Sequence, residues 1–359
     1  MSGGGTGGHI YPAIAVADKA KELYPGSEIL FVGANGKMEM EKVPQAGYSI
    51  VGLPVAGLHR KFTLRNLEFP FRLAASISKA GKIISDFKPD AVAGFGGYAS
   101  APVLWVASGK KIPSVIQEQN SYAGITNKLL SKRVNRICVA YEGMEKYFPL
   151  DKVLITGNPV RDNLFGLEKL RSKAIEHFGF KTDQKVLLVL GGSLGARTLN
   201  QSIFPALGKF RERGIQLIWQ VGSIYREEYM QKLKGQDLSG IRVMDFIREM
   251  DMAYAAADLV VCRAGALTVS ELCAAAKPAV LVPSPNVAED HQSKNAYALA
   301  ARKAAVIVRD PDAPAKLPDT CIDLIGNQAE LKHLSDNIRV LARRNAAIDI
   351  LKTLTGLLN

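Results

Sequence analysis

Short, nearly unbroken aliphatic runs alternate with amphipathic segments along the whole chain, and this alternation constrains the fold more than any other feature. A strand buried on both faces reads as a continuous Val/Ile/Leu run, and helices between such strands give a parallel sheet covered on its faces. In the first half the runs are "EILFVG" (Glu28 to Gly33), "DAVAGFGG" (Asp90 to Gly97), "PSVIQEQN" (Pro113 to Asn120) and "RICVA" (Arg136 to Ala140). In the second they are "KVLLVLGG" (Lys185 to Gly192), "IQLIWQVG" (Ile215 to Gly222), "IRVMDF" (Ile241 to Phe246), "ADLVVCRAG" (Ala257 to Gly265) and "PAVLVPSP" (Pro278 to Pro285). The turn-rich "LITGNPVRD" (Leu154 to Asp162) separates the halves as a linker. Each half opens with a glycine loop that feeds a helix, "GGGTGGHIYP" and "GGSLGARTLN". The pattern predicts an α/β chain of two Rossmann-like, doubly wound parallel-sheet domains facing each other across a cleft. We place the domains at residues 1–156 and 157–334, followed by a helical tail at 335–359 whose docking the sequence does not reveal. With 359 residues, 47% of them hydrophobic, the chain can bury two cores.

A net charge of +12 favours an acidic partner, whether nucleic acid, an anionic membrane face or a phosphorylated substrate. Cys138, Cys262, Cys273 and Cys321 are irregularly spaced, which signals neither a zinc site nor a disulfide framework and suits free thiols in a reducing cytoplasm. No charged segment followed by an apolar run stands at the N-terminus, so no secretory signal is expected. Ala91 to Gly109 carries no charge and is long enough for a membrane span. Its Gly94, Gly96, Gly97 and Pro102 instead fit a strand, a glycine turn and a helix.

Neither glycine loop is a Walker A or a G-x-G-x-x-G motif, and neither is followed by the acidic residue that would hold a nicotinamide dinucleotide's ribose. No NAD and no other cofactor is expected. A glycine loop at a strand-to-helix turn serves either tight packing or a phosphate, and two in one chain favour phosphate. His9 ends the first loop at a helix start, with Pro12 expected in the first turn. There a neutral imidazole suits a general base, and the helix dipole would lower its pKa; the plain alternative is a capping or packing histidine. In "CRAGALTVSELCAAAKPAVLVP" (Cys262 to Pro283), Thr268 and Glu271 have capping-box spacing. The alternative is a Glu271 carboxylate gripping two vicinal ribose hydroxyls, with the amides of Ala266 to Thr268 facing a diphosphate. "DPD" at Asp310 to Asp312 has metal-holding D-x-D spacing but reads as a solvated, proline-rich loop. His59, His177 and His333 lack partner clusters and read as surface or packing residues.

"GGGTGGHIYP", "GFGGYASAP", "QEQNSYAGITNK", "TGNPVR", "GGSLGARTLN", "FI", "CRAGALTVSE" and "DHQSKNA" occur in this order over nearly the whole chain. In this the sequence resembles the family of UDP-N-acetylglucosamine:lipid I N-acetylglucosaminyltransferases of bacterial peptidoglycan synthesis. The resemblance implies a GT-B fold, an N-terminal acceptor domain, a C-terminal donor domain, and inversion at the anomeric carbon without a metal. It implies Thr6, Gly7 and Gly8 near the sugar and diphosphate and His9 as base for the muramyl 4-hydroxyl. Tyr98 and Glu118 would shape the acceptor side, with Asn120 reaching the donor sugar. Arg161 and Ser193 would bind the diphosphate, and the backbone of Ile247 would read the uracil edge. Ala266, Leu267, Thr268, Val269, Ser270 and Glu271 would hold diphosphate and ribose, and Gln292 the N-acetylglucosamine hydroxyls. Where some relatives have Gln before that last residue this chain has His291, which is left as a sugar contact only.

The implied partners are UDP-N-acetylglucosamine (UDP-GlcNAc), the undecaprenyl-linked acceptor lipid I and the anionic cytoplasmic face of the plasma membrane, approached peripherally. The stretch from Gly57 to Ile84, with Phe62, Leu64, Leu67, Phe69, Phe71 and Leu73 among Arg and Lys, suits that approach, or is an ordinary core-facing helix. Other readings are a glycosyl-diacylglycerol synthase, a UDP-GlcNAc 2-epimerase or a non-catalytic nucleotide-binding module. No nucleic acid is expected, because aromatic stacking platforms and a concentrated basic helix are missing.

The second glycine loop follows the strand run "KVLLVL", whereas the first follows only Met1 and Ser2. We therefore expect the numbering to start late, with about six to ten further Ile- and Val-rich residues upstream forming a buried strand.

Overall fold

Among the described residues every strand pairing is parallel. The computed structural model describes residues 1–55, 69–287 and 290–358. The chain forms two units, Met1–Val160 with Arg343–Asn359, and Arg161–Ala342.

The first unit contains β1 (Leu30–Ala34), β2 (Ser49–Leu53), β3 (Val92–Gly94), β4 (Ser114–Glu118), β5 (Arg136–Val139) and β6 (Val153–Ile155). β1 pairs with β2, and β3 to β6 pair in sequence order. Ser2 bridges the two sets, lying parallel to Val32 on one side and Gly94 on the other. Its amide donates to the Ala93 carbonyl at 2.8 Å, and its carbonyl accepts from the Phe95 amide at 2.7 Å. Met1 and Ser2 thus occupy the central position of the sheet as a two-residue stub. With the stub counted as the first strand, the order through β5 runs 3-2-1-4-5-6, the doubly wound order.

The helices are α1 (Gly7–Leu23), α2 (Glu39–Gln45), α3 (Phe69–Phe87), α4 (Ser100–Gly109) and α5 (Ile125–Leu130), with a final helix at Ala346–Thr355. Side chains alternate across the sheet, as strand geometry requires. Ala93, Val115 and Cys138 pack with Ile10, Ile14 and Ala17 of α1 and with Ile350 and Leu354 of the final helix. Val92, Ile116 and Ile137 pack on the other face with Ile84, Val103, Leu104 and Leu130. The tail therefore closes the first core. α1 begins at Gly7, so Pro12 lies beyond its first turn and inside the helix, contrary to the sequence expectation. There it removes one helical donor.

Beside the stub lies a recess of about 870 Å³, lined among others by Met1, Leu30, Val32, Ile84, Ala91 and Val103. The Met1 amine donates to the Leu30 carbonyl at 2.7 Å, and burial pushes its pKa down to about 5, so it is uncharged at pH 7. An extension such as Lys-Ile-Ile-Ile-Ser placed before Met1 is expected to continue the stub between β1 and β3. At about 1.5–3 kcal/mol per buried aliphatic side chain, it should raise the melting temperature by roughly 5 °C or more. An unchanged melting temperature would show that this slot does not take a strand.

The second unit contains β7 (Lys185–Leu190), β8 (Ile215–Gln220), β9 (Ile241–Met244), β10 (Leu259–Cys262), β11 (Ala279–Leu281) and β12 (Val306–Ile307). Their order, β9-β8-β7-β10-β11-β12, is again 3-2-1-4-5-6. Leu187, Val189, Leu217, Trp219, Val261 and Val280 form the middle of its core. The order reverses between β7 and β10, and ligands of such sheets bind beyond the strand ends there.

Candidate active site

In the first unit, three loops after parallel strands meet around His9. The glycine loop after the stub is fixed by Glu39, the first residue of α2, which is fully buried. One carboxylate oxygen accepts from the Gly5 amide and the other from the Ala34 amide, each at 2.9 Å. The loop after β3 approaches just as closely. A Cβ on Gly97, whose φ is +81°, would lie 2.3 Å from the Gly4 carbonyl oxygen. One on Gly96, whose φ is +93°, would lie 2.9 Å from the His9 ring. These glycines are needed because any side chain would separate the loops or displace the imidazole.

His9 lies in the first turn of α1 and is partly buried. Its Nδ1 is 3.0 Å from Gln119 Oε1. Burial of the ring lowers its pKa below 6.5; the charge of Glu118, hydrogen bonds to Gln119 and to the Phe95 backbone, and the charge of Glu39 oppose that shift. Desolvation is thus what favours the neutral ring.

Glu118, buried at the end of β4, spends both oxygens on the loop that follows and on α5. Oε1 accepts from the Asn120 amide at 3.1 Å, and Oε2 from the Gly124 amide at 2.9 Å and Asn127 Nδ2 at 2.8 Å. It holds the loop in shape and places Asn120. Thr6, which caps α1 without a side-chain hydrogen bond, and Tyr98 are exposed, and Gly7 and Gly8 open the helix.

In the second unit, the loops after β7 and β8 are packed backbone to backbone. A Cβ on Gly222 would lie 2.1 Å from Gly195 Cα, and the Ser223 amide donates to the Ser193 carbonyl at 3.0 Å. Ser193 itself is exposed. After β10, Gly265 caps the helix Ala266–Ala275, with no side-chain cap. Thr268 is therefore the third helical residue, and the capping-box reading of Thr268 and Glu271 does not hold.

Glu271 is 15% exposed and is met by two groups. Tyr254 Oη donates to Oε2 at 3.2 Å, and Arg161 Nη2 stands 4.0 Å from Oε1. Burial raises its pKa, while the Arg161 charge and the tyrosine hydrogen bond oppose the rise. In the same helix Ala266 and Val269 are buried, Leu267 and Thr268 are half-buried, and Ser270 Oγ donates to the Ala266 carbonyl at 2.9 Å. Ile247 has a buried side chain, which leaves its backbone as the part open to a ligand contact. Gln292 Oε1 accepts from the Ser284 amide at 2.8 Å, tying the helix His291–Ala300 to the loop after β11.

Asp312 lies at the surface as the solvated reading expected, but Asp310 does not. Asp310 pairs with Arg263 and accepts from Thr198 Oγ1 at 3.0 Å, while Asp312 pairs with Arg309 at 2.9 Å. Asp310 thereby anchors the loop after β10. His177 pairs with Glu249 at 3.1 Å and His333 bonds Asn337 at 3.1 Å, so both have surface partners; His59 lies outside the described residues. The sequence reading did not single out Glu39, Gln119 and Tyr254. Only the "QEQN" string, which contains Gln119, drew attention to any of them.

Residues 1–139 match the glycosyltransferase family 28 N-terminal domain, and residues 186–352 match the family 28 C-terminal domain. A protein of Parabacteroides distasonis named UDP-N-acetylglucosamine-N-acetylmuramyl-(pentapeptide) pyrophosphoryl-undecaprenol N-acetylglucosamine transferase is 53% identical over 97% of this chain and 94% of its own length. One of the same name from Christiangramia forsetii is 50% identical over 100% and 97%. The crystal structure of Acinetobacter baumannii MurG, at 30% identity, superposes with a TM-score of 0.76 over 99% of this chain and 98% of that one.

Proposed function

The chain belongs to glycosyltransferase family 28, and from that premise we propose that it carries out the reaction for which its half-identical relatives are named. It transfers N-acetylglucosamine from UDP-GlcNAc to the muramyl 4-hydroxyl of an undecaprenyl-diphosphate-linked acceptor. The observation that carries the residue assignment is the His9 ring, held neutral by burial at the start of α1 among three strand-end loops. Its test is turnover of His9→Ala with a lipid-linked acceptor.

His9 takes the proton of the acceptor hydroxyl as that oxygen attacks the anomeric carbon and UDP leaves. One displacement inverts the centre and needs one base and no covalent intermediate. Negative charge grows on the departing diphosphate, where fixed donors lower the barrier. Arg161, Ser193 and the first amides of the helix Ala266–Ala275 supply them, with Thr6, Gly7 and Gly8 toward the sugar. Glu271 takes the ribose diol, the Ile247 backbone the uracil, and Gln292 with Asn120 the sugar hydroxyls. Tyr98 lines the acceptor side and Glu118 shapes it. Asp310 and Asp312 are committed to Arg263, Thr198 and Arg309, so their D-x-D spacing is explained by protein partners.

The acceptor's lipid calls for a membrane-facing surface, and features of the first unit support placing it there. α4 packs against α3 and α5, and the three carry exposed Phe71, Trp105, Ile125 and Leu129. Arg133 stacks on the Trp105 ring at 3.8 Å, and Lys79, Lys82 and Lys132 are exposed nearby in sequence. Exposed apolar side chains and cations carried by neighbouring helices suit an anionic cytoplasmic leaflet. Phe62, Leu64 and Leu67 lie outside the described residues, and no helix among those described is long and apolar enough to cross a membrane. Replacing Ile125 and Leu129 with Ser should weaken binding to anionic vesicles about tenfold or more, because each removes exposed apolar area. Wild-type binding should also fall with salt, since charge is screened within about 10 Å at 0.1 M. Salt-insensitive binding, equal on neutral vesicles, would contradict the electrostatic part.

A further inference from the structure

The side-chain amide of Gln119 can face only one way. Its Nε2 lies 2.7 Å from the Phe95 carbonyl oxygen, which can only accept. Turned over, the amide would set two oxygens against each other there. A second chain of bonds agrees. Gln119 Nε2 also donates to Gln117 Oε1, Gln117 Nε2 donates to Asn158 Oδ1 at 2.8 Å, and Asn158 Nδ2 donates to the Gln119 carbonyl at 3.0 Å. The chain ends on a backbone carbonyl, which fixes the direction of every amide in it. Gln117, Gln119 and Asn158 are each no more than 3% exposed, so water offers little alternative.

Gln119 Oε1 therefore faces His9 Nδ1, and an oxygen with no hydrogen of its own requires a donor opposite. We propose that Gln119 is the positioning residue of this site, holding neutral His9 as the Nδ1–H tautomer so that its lone pair is on Nε2. The inference rests on His9 being the base. It gives that base a direction, because only Nε2 can take a proton. The partner is a neutral amide where a histidine base often has a carboxylate, so tautomer and orientation are fixed without a charge that would draw a proton onto the resting ring. Asn158, from the "TGNPVR" motif, contributes by holding Gln117 and Gln119 in register.

The test reads the tautomer directly by ¹⁵N NMR of the full-length protein above the titration of His9, with the signal assigned by its loss in His9→Ala. Wild type should show protonated Nδ1 and bare Nε2. Gln119→Met, similar in length and unable to accept strongly, should shift His9 toward Nε2–H. It should lower kcat on the order of tenfold with the affinity for UDP-GlcNAc unchanged. Gln119→Glu, whose buried carboxyl in its protonated form keeps one oxygen toward Nδ1 and an O–H toward the Phe95 carbonyl, should retain Nδ1–H, so a folding defect shared by both variants would not produce the contrast. Nε2–H in wild type, or Nδ1–H persisting in Gln119→Met, would overturn the assignment. The tautomer is read without substrate, so this result is independent of the turnover measurement that tests the base itself.

Discussion

Replacing His9 with Ala is expected to lower kcat by roughly 10²–10⁴-fold, the usual contribution of a positioned general base. The affinity for UDP-GlcNAc should change little, because Glu271, Arg161 and the helix Ala266–Ala275 lie in the other unit. The pH profile gives a second check. A base works only unprotonated, and burial lowers the His9 pKa below 6.5 against the opposing charges of Glu118 and Glu39. The acidic limb of kcat/KM should therefore fall below that value and vanish in His9→Ala. Near-wild-type turnover in the variant would remove His9 from the mechanism.

Glu271→Ala is expected to weaken UDP and UDP-GlcNAc alike, by about 10- to 100-fold, since hydrogen bonds to a charged group contribute about 1.5–3 kcal/mol. Wild type should prefer UDP over 2′-deoxy-UDP, and the variant should lose that preference. A capping role would give a stability loss without ribose discrimination, but Gly265 takes the cap position and Glu271 lies mid-helix beside Tyr254 and Arg161. Glu271→Gln separates charge from shape: it keeps an acceptor for Tyr254 and should recover part of the binding. Undiminished affinity in Glu271→Ala, with ribose still preferred, would place the diol elsewhere.

The central strands were legible because both of their faces are buried. "KVLLVL" and "IQLIWQ" became β7 and β8, whose residues are buried throughout apart from Lys185. The edges were not. β6 emerges from the stretch that read as linker, its Leu154 and Ile155 exposed, and β12 is only Val306–Ile307. Length and unbroken burial are what periodicity detects, and edge strands lack both. The same limit applies to the site. His9 stood out because a glycine loop leads into it, but Gln119 is 110 residues away and Glu39 is 34 residues from the Gly5 amide it holds. Such pairings arise from the crossing of strand ends, which no local pattern records. Asp310 shows the converse: its proline-rich surroundings suggested solvent, and the fold gave it Arg263 and Thr198.

Release of UDP from UDP-GlcNAc, with and without a lipid I analogue and in the presence of EDTA, tests the central claim most directly. The account predicts rapid release only with the acceptor, matched by one N-acetylglucosamine added in β linkage and undiminished by chelation. Acceptor-independent release, conversion of the free sugar nucleotide to its 2-epimer, or no turnover with lipid I would contradict it.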